Sequence, residues 1–322
     1  MRAIARAPRL SQLAGVIRLY FMETQRPTGA HDLRLAFEQY RRRLWGVAYR
    51  MLGSRADADD MVQEAYLRWD RAPRGEIRTP EAWLVTATTR LCIDRLRELR
   101  TEREAYVGPW LPEPLVSDAA PPADQAAELA SDLSVAFLAL LERLAPEERA
   151  AFLLHEVFES DYAEIAQILG KSEVACRQIV SRARTRVRAG RPRVQVSEAA
   201  RRRLLEEFVQ AIRARDKTAL VALLAEDVTW TADGGGKAKA ALKVVHGADR
   251  VAQFVMGVLR RYLDRIDFAP IVVNNEPGLA MLVDGTLFSV LSIRTDGVRI
   301  LDVFSILNPE KLSAVNLEKQ ER

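Results

Sequence analysis

The residues with the most evident chemical use lie between positions 171 and 193. Lys171, Ser172, Glu173, Arg177, Gln178, Ser181 and Arg182 place donors and acceptors along one short stretch. Arginine and glutamine carry paired groups that match the edges of guanine and adenine, and glutamate accepts from cytosine. Arg182, Arg184, Arg186, Arg188, Arg191 and Arg193 then form a basic run with no acid among them, suited to a phosphate backbone. A charged outer helix face is also what plain solvation produces, so the pattern alone leaves both readings open.

To reach base edges these groups must project from a helix that enters a groove. The preceding residues supply the frame. Asp161 reads as a helix cap with Glu164 at the third position, Gly170 as a left-handed stop, and Ser172 as the cap of a second helix. Cys176, Ile179, Val180, Ala183 and Val187 repeat at the spacing of one buried stripe, which turns Glu173, Arg177, Ser181, Arg184 and Arg188 outward. The spacing predicts a helix-turn-helix.

Two other clusters stand upstream. Asp57, Asp60 and Glu64 share one helical face with Gln63 at its edge, opposite Met61, Val62, Ala65, Tyr66 and Trp69. Thr79 and Pro80 open a third helix on which Arg90, Asp94 and Arg97 form a stripe, with Arg100 and Arg103 beyond it.

The chain has 322 residues, 48% of them apolar, with a net charge of +4. That length allows two or three domains with proper cores. The two cysteines and three histidines show no metal-ligand or disulfide spacing, so no cofactor or metal is expected, and the cysteine usage fits a reducing cytoplasm. No segment is apolar enough to span a membrane. Residues 1–31 form a basic extension, within which Met1 to Phe21 read as an over-extended start before a native Met22, in preference to a targeting peptide. An all-helical domain is expected over 32–103, a proline-bearing linker over 104–124, the helix-turn-helix domain over 125–190 and a last domain over 197–315. In that last domain three helical stripes, the second running through Leu220, Val221, Leu223 and Leu224, precede strands punctuated by Asn-Asn, Asp-Gly turns. An α+β fold with an antiparallel meander follows from that order.

The segments 57–69 and 80–100, with the helix-turn-helix, resemble regions 2 and 4 of bacterial extracytoplasmic-function (ECF) sigma factors of the sigma-70 family, in matching order and spacing. The motif WLPEP (Trp110, Leu111, Pro112, Glu113, Pro114), the turn DGGGK (Asp233, Gly234, Gly235, Gly236, Lys237) and NPEKL (Asn308, Pro309, Glu310, Lys311, Leu312) are similar to those of the SigJ-type group with a C-terminal SnoaL-like domain of the NTF2-like fold. The resemblance implies a promoter-specificity subunit of RNA polymerase, not an enzyme. It assigns Asp57, Asp60, Gln63 and Glu64 to the β′ clamp of the core polymerase. The −10 element would be read by the loop 71–79 with Arg90, Asp94, Arg97 and Arg100. The −35 element would be read by the seven residues from Lys171 to Arg182. The three C-terminal-type motifs would form a regulatory contact surface. Two alternatives stand beside it: a helix-turn-helix regulator sensing a small molecule in an NTF2-like cavity, and an enzyme using that cavity. Asp227, Asp233, His246 and Asp267 are acid–base candidates for the latter by type only.

Overall fold

The structure, a computed structural model, describes residues 30–73, 77, 79–117, 133–189, 196–262 and 265–315. Met22, residues 74–76 and 78 of the expected −10 loop, the stretch 118–132, and Arg191 and Arg193 lie outside the described residues.

Three helices come first: α1 (Ala30–Leu52), α2 (Arg55–Arg71) and α3 (Pro80–Glu104). Gly53, at φ 66°, ends α1. Ser54 then caps α2 by accepting the Asp57 N–H at 3.2 Å, and Pro80 opens α3 where its missing N–H costs nothing. The chain continues through β1 (Val116–Ser117) to four more helices: α4 (Val135–Leu141), α5 (Pro146–Glu156), α6 (Tyr162–Leu169) and α7 (Glu173–Ala189). Here the cap signals act as the sequence suggests. Asp161 accepts the Glu164 N–H at 2.8 Å, Gly170 is left-handed at φ 64°, and Ser172 accepts the Ala175 N–H at 3.2 Å. Cys176, Val180 and Ala183 are fully buried, and burial pushes the Cys176 thiol up from its ordinary pKa. One apolar cluster runs through both helical groups, from Leu44, Trp69 and Leu84 to Phe152, Cys176 and Val187. Helix α5 lies against α1 and α3, and α6 against α3.

The last part contains α8 (Glu198–Arg213), α9 (Lys217–Leu223), β2 (Leu224–Asp233), β3 (Val245–His246), α10 (Ala248–Leu259), β4 (Ile266–Val273), β5 (Glu276–Val283), β6 (Thr286–Thr295), β7 (Ile300–Ile306) and the single turn α11 (Pro309–Leu312). The strands form one sheet in the order β1-β4-β5-β6-β7-β2-β3. Hairpins join β4 to β5 at Asn274–Asn275 and β5 to β6 at Asp284–Gly285, with all four residues at positive φ as tight two-residue turns require. Helices α8 to α10 pack a core on one face, around Phe208, Trp230, Val255 and Ile293. The other face buries Leu111, Val135 and Leu312 against Ile271, Val290, Phe304 and Ile306, so α4, the linker and α11 all lie on the sheet.

The α+β expectation holds, with two corrections. Leu224, placed by its spacing in a helix, begins β2. Beyond Ala225 the inward residues are Val228, Trp230 and Ala232, a period of two that the helical run before them masks. The sheet is also not a pure antiparallel meander. Strand β2 pairs β7 in parallel, with Ala232 beside Ser305 and Asp233 beside Ile306. The linker adds β1 to the edge, Val116 opposite Val273.

Candidate functional site

The motifs WLPEP, DGGGK and NPEKL meet at one buried joint. Strand β2 ends at Asp233, which has no exposed surface. Its carboxylate accepts from Tyr106 Oη at 2.6 Å, the Leu111 N–H at 2.8 Å and Lys311 Nζ at 2.7 Å. Its carbonyl accepts the N–H groups of Leu307 and Asn308 at 2.7 and 2.9 Å. Burial lowers the Lys311 ammonium from the usual lysine range against the pull of Asp233. Burial, reinforced by Asp233, raises the Tyr106 phenol. The glycines that follow are needed for close approach: at Gly235, φ 56°, a Cβ would stand 2.3 Å from Asn308 Nδ2. Lys237 pairs with Glu310, and Asn308 both caps α11 and donates to Tyr106 Oη at 3.0 Å.

WLPEP carries this joint to the helices. The Trp110 ring has the Arg103 guanidinium 4.0 Å from its centre and Lys311 Nζ at 4.1 Å. Pro112 and Pro114 are buried and bring no N–H that would need a partner. Glu113 donates its N–H to Gly53 O at 2.8 Å, accepts the Arg55 N–H at 2.8 Å, and its carbonyl accepts Tyr49 Oη at 2.6 Å. Tyr49 Oη in turn accepts from Asn274 Nδ2 at 2.8 Å, and Asn274 exchanges two bonds with the Leu115 backbone. Arg103 reaches Leu52 O at 3.0 Å and pairs with Glu142, while the buried Arg149 reaches Met51 O at 2.6 Å and Glu142 at 2.7 Å. The two arginines thereby serve carbonyls that α1 leaves unpaired at its C-terminus. Sequence reading missed Tyr49, Glu142, Arg149, Tyr106 and Asn274. Tyr106 lay in the expected linker and Asn274 in an expected turn, and nothing in either segment marked the residue as part of a site.

The expected DNA-facing residues are placed in two ways. Ser172, Glu173, Arg177, Gln178, Ser181 and Arg182 are exposed on α7, with Arg177 held by Glu173 at 3.0 Å. The other basic residues have internal partners. Arg90 donates to Gln167 O at 2.8 Å and Ile168 O at 2.9 Å, at the C-terminus of α6. Arg97 and Lys171 share Glu147, at 2.8 and 2.9 Å, and Arg97 also holds Asp94 at 2.9 Å. The Lys171 hydrogen bond, with Arg97 beside it, lowers the Glu147 carboxyl from its usual range. Arg184 and Arg186 pair with Glu156 and Glu148, so the basic run is partly neutralised by α5. Arg100 is exposed beside Glu104. On α2, Asp60 and Gln63 are exposed and Glu64 pairs with Arg68 at 2.9 Å. Asp57 differs from the expected stripe: it is half-buried and paired with Arg95 at 2.8 Å.

A cavity of about 760 Å³ opens between α10 and the sheet. None of the four acid–base candidates lines it. Asp227 and His246 are exposed, Asp233 is locked in the joint, and Asp267 pairs with Arg213 at 2.9 Å. Among the described residues no three metal-ligating side chains cluster, and no helix is long and apolar enough to cross a membrane.

Comparison with known proteins gives consistent matches. Residues 36–102 match the family Sigma-70 region 2, and residues 134–187 match Sigma-70, region 4. The chain is 39% identical over 298 residues to the ECF RNA polymerase sigma factor SigJ of Mycobacterium tuberculosis, covering 88% of this chain and 94% of that protein. It is 31% identical over 291 residues to the probable ECF RNA polymerase sigma factor SigI of the same species, covering 89% and 98%. The crystal structure of the M. tuberculosis SigJ superposes with a TM-score of 0.71 at 38% identity, over 88% of this chain and 99% of that one.

Proposed function

The chain belongs to the ECF RNA polymerase sigma factors, and we propose that its own C-terminal domain holds its two promoter-reading groups closed until core polymerase separates them. In this reading the outer face of α2, with Asp60, Gln63 and Glu64, docks on the β′ clamp, where an acidic stripe against basic residues steers association. Asp57 supports that face through Arg95. Arg90, Asp94, Arg97 and Arg100 track the opened −10 strand, and Lys171 to Arg182 enter the −35 groove. The WLPEP, DGGGK and NPEKL joint is the regulatory contact.

The observation that carries the reading is Glu147. One carboxylate holds Arg97 of the −10 set and Lys171 of the −35 set, so the two cannot spread over a promoter while both bonds persist. Exposed pairs of this kind contribute about 0–1 kcal/mol each. The shared apolar cluster and the buried joint must therefore supply most of the restraint. Tethering makes that restraint intramolecular, so weak contacts suffice.

Run-off transcription with core polymerase tests this. A chain ending after Leu307 loses Lys311 and should transcribe more than the full chain. A chain ending at Arg191 loses the whole sheet, exposes the linker and should transcribe less than either. Equal transcripts from all three would show that the domain does not regulate the sigma core.

A further inference from the structure

The cavity beside α10 joins apolar walls to three basic side chains. Its walls are aromatic and aliphatic, with Trp230, Phe254 and Phe288 foremost, and its volume of about 760 Å³ falls within the usual range for small-molecule sites. Lys239, Arg250 and Arg261 line it as well. All three are exposed, and among the described residues none has an ion-pair partner. No carboxylate is among the lining residues, so nothing there repels an anion. Deeper in, Ser305 is buried and lines the cavity as well.

Helix α10 adds an independent sign. Arg250, Gln253, Phe254, Gly257 and Val258 follow the spacing of one helical face and line the cavity together with Arg261, in the turn just past the helix. Gly257 stands in the middle of that face, where glycine weakens a helix. A Cβ built there would meet nothing within 4 Å. Packing does not require this glycine. It leaves open the space between the two arginines.

We infer that this cavity is a binding site for an amphipathic carboxylate, its apolar body against Trp230, Phe254 and Phe288, its carboxylate at the mouth between Arg250, Arg261 and Lys239. The assignment does not depend on how the domain regulates transcription. Arginine forks fit a carboxylate, and charge-assisted bonds near low-dielectric walls are the strong ones.

Isothermal titration of the full chain with dodecanoate and with 2-naphthoate tests it, the two probes separating an aliphatic from a fused aromatic body. Dodecanol and dodecyltrimethylammonium serve as neutral and cationic controls. At least one carboxylate should bind one to one, and the controls at least about tenfold more weakly. Arg250→Gln with Arg261→Gln should weaken the carboxylate about tenfold or more while leaving the thermal midpoint unchanged. Gly257→Phe should abolish binding by filling the cavity, and Gly257→Ala should keep it while stabilising the helix, which guards against a folding defect. Failure of both carboxylates to bind would overturn the proposal. So would equal binding of the neutral or cationic probe, or binding unaffected by Gly257→Phe in a folded chain.

Discussion

The Asp233 carboxylate accepts three hydrogen bonds, two from the linker (Tyr106 Oη and the Leu111 N–H) and one from Lys311, and only Lys311 carries a charge to balance it. A buried pair of this kind need not stabilise more than an apolar pair would, but breaking one side of it is costly. Lys311→Met should therefore weaken the joint by about 3–5 kcal/mol, since the carboxylate is left buried and unbalanced. The loss should appear as local opening: hydrogen exchange at the Leu111 amide, which donates to Asp233, should accelerate while amides of β5 and β6 stay protected. The double variant Asp233→Asn with Lys311→Met should recover part of the loss, because no charge then remains unpaired. Unchanged exchange at Leu111 would mean that the pair is not what closes the joint.

At the level of elements, the turn after β2 sets how close α11 can come to the linker. Gly235→Val places a β-branched side chain at φ 56° against Asn308 and Tyr106, so the turn must move. Its transcription should resemble that of the chain ending after Leu307, and its helical circular dichroism should stay native. A transcript level equal to that of the unaltered chain would show that α11 tolerates the shift. This part of the molecule was only half legible in the sequence. Asp161, Gly170 and Ser172 announced α6 and α7 because caps and stops act within a few residues. The apolar stripe through Cys176 did likewise. Strand β2 was hidden because Leu220 to Leu224 extend a helical spacing into it, and its strand state depends on β7, some seventy residues later. The motifs around Trp110, Asp233 and Lys311 were visible as segments, but not as one site, since only the fold brings them together. Asp57 shows the converse. Its spacing put it on an exposed stripe, and a long-range partner, Arg95, drew it inward.

Across the whole molecule, one apolar cluster passes through both helical groups while the sheet clasps them from the side. The proposed opening would expose part of that cluster, so polymerase would have to cover what it uncovers. Helix α2 keeps Asp60 and Gln63 exposed on its outer face, which leaves them accessible before any opening takes place. The shared carboxylate of Glu147 has a consequence for how such a factor responds to salt. A protein that brings bare cations to DNA releases condensed counterions, and its affinity falls steeply with ionic strength. Here Arg97 and Lys171 are already paired, Lys171 with Glu147 and Arg97 with both Glu147 and Asp94. In the proposed DNA-bound state phosphates would displace Glu147, and the freed carboxylate would gather cations from solution while the DNA sheds them, so that the two fluxes offset. The logarithmic salt slope for promoter binding should thus be shallower than the count of phosphate contacts requires. Glu147→Gln should steepen it by about one unit, as expected for roughly one further counterion released. The acid that ties Arg97 to Lys171 would then also act as an internal buffer against swings in the salt of the surrounding medium.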